Sequence, residues 1–384
     1  MKKVCFIITD SSQFNILCRD QLEYFAHEKN VDLTLVCGNW SKEDEKLKAR
    51  NVGKVIIFPI ERNISLIKDI YMLFRLFVFF IFNRFDAVVY STPKGLLLGS
   101  LGTFLALHKN RIALIRGRAY ENFTGKKRWF FTFLDKICLK ISNKVIFISH
   151  TMRDDYVKEK ILPLSNAKVI GNGSSNGVNI KKYFPVKKEI TPDFNILIIG
   201  RVCRDKGIFD VYEVLKKLHS TDKLKVRIVG RIEDIESENM LKKIMNDFSF
   251  VEYFSHTPHP QEYFQQADLH LFLTHRDGFG NVAIEAACCG VPTFCYDISG
   301  LKDSVEQHVS GVRFEFQNFD QVAAAIDHAM IDKQEFIKKF NQAPTWAKSN
   351  FNSYEVWDRY LEFYLKDSKK IILFTSSSKK RTSL

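Results

Sequence analysis

The sequence predicts an α/β protein made of two doubly wound, Rossmann-like domains in tandem that face a central cleft. Three observations carry this. Short continuous apolar runs alternate with helix-length segments, the alternation pauses once around residues 180–194, and it then restarts with the same rhythm. Strands that are apolar on both faces need burial on both sides, so this alternation argues for parallel sheets covered by helices.

The first seven runs are VCFIIT (4–9), VDLTLVC (31–37), KVIIF (54–58), DAVVY (86–90), RIALI (111–115), KVIFIS (144–149) and AKVI (167–170). Residues 14–27, 65–82 and 128–141 between them have helical length and period. The pause, YFPVKKEITPDF, holds two prolines and four charges with little periodicity, which marks a boundary. Five runs follow: FNILIIG (194–200), LKVRIVG (224–230), FVEYF (250–254), LHLFLT (269–274) and VPTFCY (291–296). A final amphipathic helix over 354–365 precedes a basic, serine-rich tail. The resulting division is a first domain at 1–185, a second at 186–350, and a C-terminal segment at 351–384 whose helix is expected to pack back on the first domain.

Bulk features narrow the chemistry. A chain of 384 residues at 46% hydrophobic has globular composition. Its net charge of +13 favours an anionic partner. The surplus is uneven: residues 1–190 hold 32 basic and 17 acidic side chains, while the remainder holds 25 and 27. Eight cysteines without C-x-x-C spacing read as buried thiols of a cytosolic protein. The apolar run at 4–8 is too short for a secretory signal, and IYMLFRLFVFFIF (70–82) is too short to span a bilayer. Lys126, Lys127 and Arg128 beside Trp129, Phe130, Phe131 and Phe133 suit a headgroup interface, with Phe74, Phe77, Phe79 and Phe80 as further candidates. No nucleic-acid motif accompanies the basic half, so no nucleic-acid partner is expected.

The sharpest chemical pattern is THRDGFGNVAIEAACCGVP (274–292). A strand end, a glycine-bearing turn and a helix start follow one another. Gly278 and Gly280 allow close backbone approach, and the N–H groups of Gly280, Asn281 and Val282 are expected to face outward at a helix N-terminus, a site suited to a diphosphate. Asp277 and Glu285 flank this cradle and suit hydrogen bonds to sugar hydroxyls. In FNILIIGRVCRDKG, Gly200 and Arg201 follow the opening strand of the second domain and Lys206 the next turn, placing two cations at the same crevice. His256 and His259 sit in a strand-end loop able to line a nucleobase pocket, without the further ligands a zinc ion needs.

These motifs, together with GVP (290–292), GNGSSNGVNIKKYF (171–184) and RAYENFTGKKR (118–128), resemble the retaining glycosyltransferases of family four, which have the GT-B fold, and the resemblance runs along nearly the whole chain. The last two stretches look like the subgroup that builds capsule, O-antigen and exopolysaccharide units on polyprenyl diphosphate. The resemblance implies a first domain that binds the acceptor and faces the membrane, and a second that binds a nucleotide-sugar donor, expected to be UDP-linked. Arg201 and Lys206 would hold the donor diphosphate, with Asp277 the third catalytic residue, contacting the transferred sugar where relatives more often carry Glu. Gly200, Gly278, Phe279, Gly280, Asn281 and Val282 complete the donor site, and Glu285 would bind the ribose. Lys126, Lys127, Arg128 and Trp129 fall on the membrane and acceptor side. Asp10-Ser11-Ser12-Gln13 replaces a glycine pair and Arg116-Gly117-Arg118 replaces a histidine that many relatives carry, so no catalytic histidine is assigned. Transfer with retention, without metal or cofactor, to a lipid-linked saccharide at the inner face of the cytoplasmic membrane is the implied activity; no paired D-x-D carboxylates offer a metal site. Its rivals are a nucleotide-sugar epimerase of the same fold and a non-enzymatic binder of anionic polymer or membrane.

Overall fold

The computed structural model describes residues 1–61, 65–118, 121, 123–187 and 191–366. The C-terminal tail and parts of the 118–128 and 180–194 stretches lie outside them.

Two all-parallel sheets form the frame. The first holds β1 (Lys3–Asp10), β2 (Asp32–Gly38), β3 (Lys54–Ile57), β4 (Ala87–Tyr90), β5 (Arg111–Ile115), β6 (Lys144–Phe147) and β7 (Ala167–Val169), in the order β3-β2-β1-β4-β5-β6-β7. The second holds β8 (Phe194–Ile199), β9 (Leu224–Val229), β10 (Val251–Phe254), β11 (Leu269–Phe272), β12 (Thr293–Tyr296) and β13 (Gly311–Phe314), in the order β10-β9-β8-β11-β12-β13. Each is doubly wound. Its direction reverses beside the first strand, β1 or β8, and a crevice opens there at the strands' carboxyl ends. The inner strands β1, β4, β11 and β12 are buried along almost every residue, which is why they read as unbroken apolar runs.

Three differences from the sequence reading have physical causes. The single helix expected over 14–27 is broken into Ser11–Leu17 and a segment from Gln21 to Glu28. Arg50 causes this: its guanidinium donates to the carbonyls of Cys18 (3.0 Å) and Arg19, satisfying two acceptors that a continuous helix would have used, and it also reaches the Phe14 carbonyl (3.2 Å) and pairs with Glu23 (2.7 Å). The third helix begins earlier, at Gly125. Strand β13 escaped notice because it has four residues, includes Arg313 and lies at a sheet edge.

The C-terminal helix Ser353–Leu365 lies against the first domain. Asn110 Nδ2 donates to the Tyr364 carbonyl at 2.7 Å, Tyr24 Oη donates to Asp358 at 2.9 Å, and the Phe6 and Tyr364 rings meet edge to face. One continuous apolar core therefore includes residues of the first sheet, this helix and the Asn281–Cys288 helix of the second domain. All eight cysteines are buried and unpaired, and burial pushes the Cys5, Cys138 and Cys295 thiols up.

His270, inside β11, is fully buried between the Phe264 and Phe272 rings, with only Nδ1 bonded, to Thr293 Oγ1 at 3.1 Å. Burial pushes its pKa down to about 3. The unfolded chain takes up this proton below about 6.5, the folded chain only near 3, so acid favours unfolding across that window. At pH 5 the loss is ~2 kcal/mol relative to pH 7. In thermal melts at the two pH values, His270→Leu should lose less stability on acidification than the parent; equal losses would remove this account.

Candidate active site

The crevice of the second sheet lies between the ends of β8 and β11, and the local structure there is held by contacts between the two turns that follow these strands. After β11, Thr274 Oγ1 donates to the Asp205 carbonyl (3.0 Å), the His275 N–H donates to the same carbonyl (2.9 Å), and Arg276 pairs with the Asp205 carboxylate. His275 Nε2 also meets the buried Asp210 carboxylate at 2.8 Å, which accepts from Tyr296 as well. These bonds clamp the turn Arg204–Lys206 onto the turn 274–277. Gly207 makes the approach possible: it has φ +82°, and a Cβ there would lie 2.0 Å from the Leu273 carbonyl oxygen.

The clamp sets Lys206 Nζ 2.6 Å from Asp277 Oδ2. Asp277 Oδ1 accepts from the N–H of Phe279 (3.2 Å) and of Gly280 (2.9 Å). Burial raises the Asp277 carboxyl, but the Lys206 ammonium and these two N–H groups outweigh it, leaving its pKa below the ordinary value. The N–H of Gly280 is therefore taken, contrary to the expectation that it stands free. Those of Asn281 and Val282, at the start of the Asn281–Cys288 helix, meet no acceptor among the described residues. Gly280 itself has φ +80° with the Leu301 side chain close by, so a larger residue is excluded there.

The remaining residues are placed differently from one another. Gly200 follows β8 and has open space beside it. Arg201 is largely exposed and pairs with Glu233 at 2.7 Å rather than with the Asp277 cluster. Glu285 is buried on the Asn281–Cys288 helix and meets Arg19 of the first domain at 2.7 Å. Arg19 went unnoticed because it lies 266 residues away and nothing local marks it. A Cβ on Gly278 would lie 2.1 Å from the Arg116 carbonyl oxygen, so the space beside this glycine holds first-domain backbone. Ser174 Oγ donates to Asn281 Oδ1 at 2.9 Å, and Asp303 accepts from the N–H groups of His150 and Thr151 at 3.2 and 3.0 Å. The two domains thus meet directly at the cleft. At the end of β1, Asp10 accepts from the Ser12 N–H (3.1 Å) and occupies the start of the helix that follows.

On the first domain, Lys126 and Lys127 are exposed, Arg128 contacts Glu159 at 3.3 Å, and Trp129 stacks on Phe133. Phe130 and Phe74 are exposed, but Phe80 belongs to the core and Phe77, Phe79 and Phe131 are half-buried, so those four do not form an open face. His256 and His259 line an exposed loop after β10. Among the described residues no three His, Cys, Asp or Glu side chains gather where a metal could be held.

Comparison with known proteins places this geometry. Residues 179–344 match the family model "Glycosyl transferases group 1". The chain is 26% identical to the capsular polysaccharide biosynthesis glycosyltransferase CapM of Staphylococcus aureus, over 96% of this chain and 99% of that protein. It is 23% identical, over 73% of this chain and 76% of that protein, to the N,N'-diacetylbacillosaminyl-diphospho-undecaprenol alpha-1,3-N-acetylgalactosaminyltransferase of Campylobacter jejuni. Among solved structures, Anabaena HepE in complex with UDP and glucose superposes with a TM-score of 0.76 at 15% identity, covering 94% of this chain and 99% of that one. The fold is that of the GT-B glycosyltransferases.

Proposed function

We propose that this chain, whose residues 179–344 match the group 1 glycosyl transferases, transfers a sugar, with retention and without a metal ion, from a UDP-linked donor to a lipid-linked saccharide during assembly of a surface polysaccharide. The observation that carries the reading is the cation and the free N–H pair around Asp277: Lys206, with the N–H groups of Asn281 and Val282 at a helix start. Charge develops on a nucleoside diphosphate as it departs, and fixed donors aimed at that position supply the main catalytic effect.

Each side chain then has a task. Lys206 turns from Asp277 to the diphosphate, Arg201 leaves Glu233 to join it, and the helix N–H groups receive the phosphate oxygens. Asp277, released, accepts from hydroxyls of the transferred sugar. Glu285 exchanges Arg19 for the ribose hydroxyls. The names of CapM and of the Campylobacter transferase support a polysaccharide product and a polyprenyl diphosphate acceptor, and the UDP-bound relative supports the donor base. The basic first domain suits a diphosphate-bearing lipid at the inner face of the cytoplasmic membrane.

The test is nucleoside diphosphate release from UDP-, GDP- and ADP-sugars, with and without polyprenyl diphosphate saccharides, followed by NMR of the anomeric configuration. Acceptor-dependent UDP release with a retained anomer is expected. Conversion of the donor sugar without acceptor would identify an epimerase. Failure of every donor to raise the melting temperature would leave a binder without donor chemistry.

A further inference from the structure

Away from the crevice between β8 and β11, the edge of the second sheet carries an open concavity of about 450 Å³, lined by Asp297, Gln307, Arg313, Glu315 and Phe316. That size lies within the range of small-molecule sites, about 300 to 1,000 Å³. Asp297 directly follows β12 and Glu315 directly follows β13. The outermost strand here is β13, separated from β11 by β12. Strand spacing therefore puts the concavity about 10 Å to the side of β11 and the Asp277 turn that follows it.

Its lining combines one aromatic ring with a polar rim. Phe316 is 46% exposed, yet its ring is fixed by edge-to-face contacts with Tyr296 and His275, at centroid distances of 5.0 and 5.2 Å. Both of those residues bond the buried Asp210 carboxylate, at 2.7 and 2.8 Å. The platform is thus ordered before any ligand arrives, which lowers the cost of binding. On the rim, Arg313 Nε donates to Asp297 at 2.9 Å, and Gln307 Oε1 accepts from the Arg313 N–H at 2.8 Å. Arg313 Nη1 donates to the Val305 carbonyl, while Nη2 meets no acceptor among the described residues. The exposed Glu315 carboxylate accepts only a 3.4 Å bond from Asn318 among them. Donor and acceptor capacity both remain unused around the ring.

We propose that this concavity binds an uncharged pyranose, at a site separate from the one that takes the donor. Charge selects the ligand class. The two carboxylates, Asp297 and Glu315, are balanced by Arg313 and by Lys302, which reaches Asp297 at 3.2 Å. A phosphate or carboxylate ligand would call for a basic lining instead. A nucleobase would bring carbonyl acceptors against carboxylate acceptors, whereas sugar hydroxyls donate to the carboxylates and accept from the guanidinium. The C–H face of a pyranose then lies on the Phe316 ring, whose π face is negative. Such a sugar has two sources: a unit within a glycan chain, or the free sugar left when a donor is hydrolysed. Either source rests on the transferase reading; the binding itself does not.

The test is saturation-transfer NMR on the full chain, without donor or lipid. The probes are the methyl glycosides of glucose, galactose and N-acetylglucosamine, the trisaccharides maltotriose and chitotriose, and methyl glucuronide and uridine as controls. Saturable binding of at least one neutral sugar is expected, undisturbed by saturating UDP and retained in Lys206→Ala. It should weaken about tenfold or more in Phe316→Ala. Glu315→Ala, a change at an exposed side chain, should weaken it in the same direction with the melting temperature unchanged. Tighter binding of a trisaccharide than of its methyl glycoside would support the proposal with a glycan chain as the source, and equal binding would support it with a free sugar. No saturable binding, displacement by UDP, binding of methyl glucuronide or uridine as tight as that of the neutral sugars, or indifference to both variants would overturn it. Sugar transfer by a chain that shows no such binding would defeat this proposal alone, and sugar binding without donor turnover would defeat the proposed function alone.

Discussion

Lys206→Ala should lower kcat/KM for sugar transfer by about 10² to 10³-fold, the usual consequence of removing one fixed donor from developing negative charge, while the second domain keeps its fold. The clamp that positions this residue is made by Thr274, His275, Arg276 and Asp205, none of which depends on the ammonium group. Removing the ammonium leaves Asp277 with only the N–H groups of Phe279 and Gly280, so its carboxyl should rise from its depressed pKa. A structural reading of the same pair predicts something different: that Lys206 matters only because it neutralises Asp277. The double variant Lys206→Ala/Asp277→Asn separates the two. If the ammonium acts on the diphosphate, the double variant stays as slow as the single one. Recovery of most of the lost rate in the double variant would mean the pair is only a local support.

What was legible in the sequence follows from what each feature depends on. Buried parallel strands need apolar residues on both faces, and that requirement is local, so β1, β4, β11 and β12 were readable as runs. Lys206 and Asp277 were also readable, because each lies just after a strand and crevices form at strand ends. The break at Cys18 was not, since it is imposed by Arg50 from a separate segment. The same limit hid Arg19 as the partner of Glu285 and turned the reading of Gly278 around: a glycine in a turn looks like room for a ligand, and only the packing of two domains shows that first-domain backbone fills it. On the Leu66–Phe82 helix, the aromatic run was visible as composition, but which phenylalanines face outward depends on the inward stripe of Met72, Leu76 and Phe80.

Gly278→Ala is expected to cost about 10²-fold in transfer, the scale of a misplacement near 1 Å at a reacting centre, while each sheet stays folded. The new Cβ would lie 2.1 Å from the Arg116 carbonyl oxygen and 3.1 Å from Ile148 Cδ1. The first of these is a backbone atom at the end of β5, so no flexible side chain can yield, and relief requires the second domain's turn to withdraw from the first domain. The same approach is shared by Ser174 with Asn281, Arg19 with Glu285, and Asp303 with the N–H groups of His150 and Thr151, so one added methyl loosens every contact across the cleft. Small-angle scattering should show a more open molecule and limited proteolysis a more accessible cleft, with little change in far-UV circular dichroism. Gly117→Ala is the control, because nothing lies within 4 Å of a Cβ there. A Gly278→Ala protein that is as compact and as active as the parent would mean the turn relaxes locally, and that closure of the two domains does not depend on this contact.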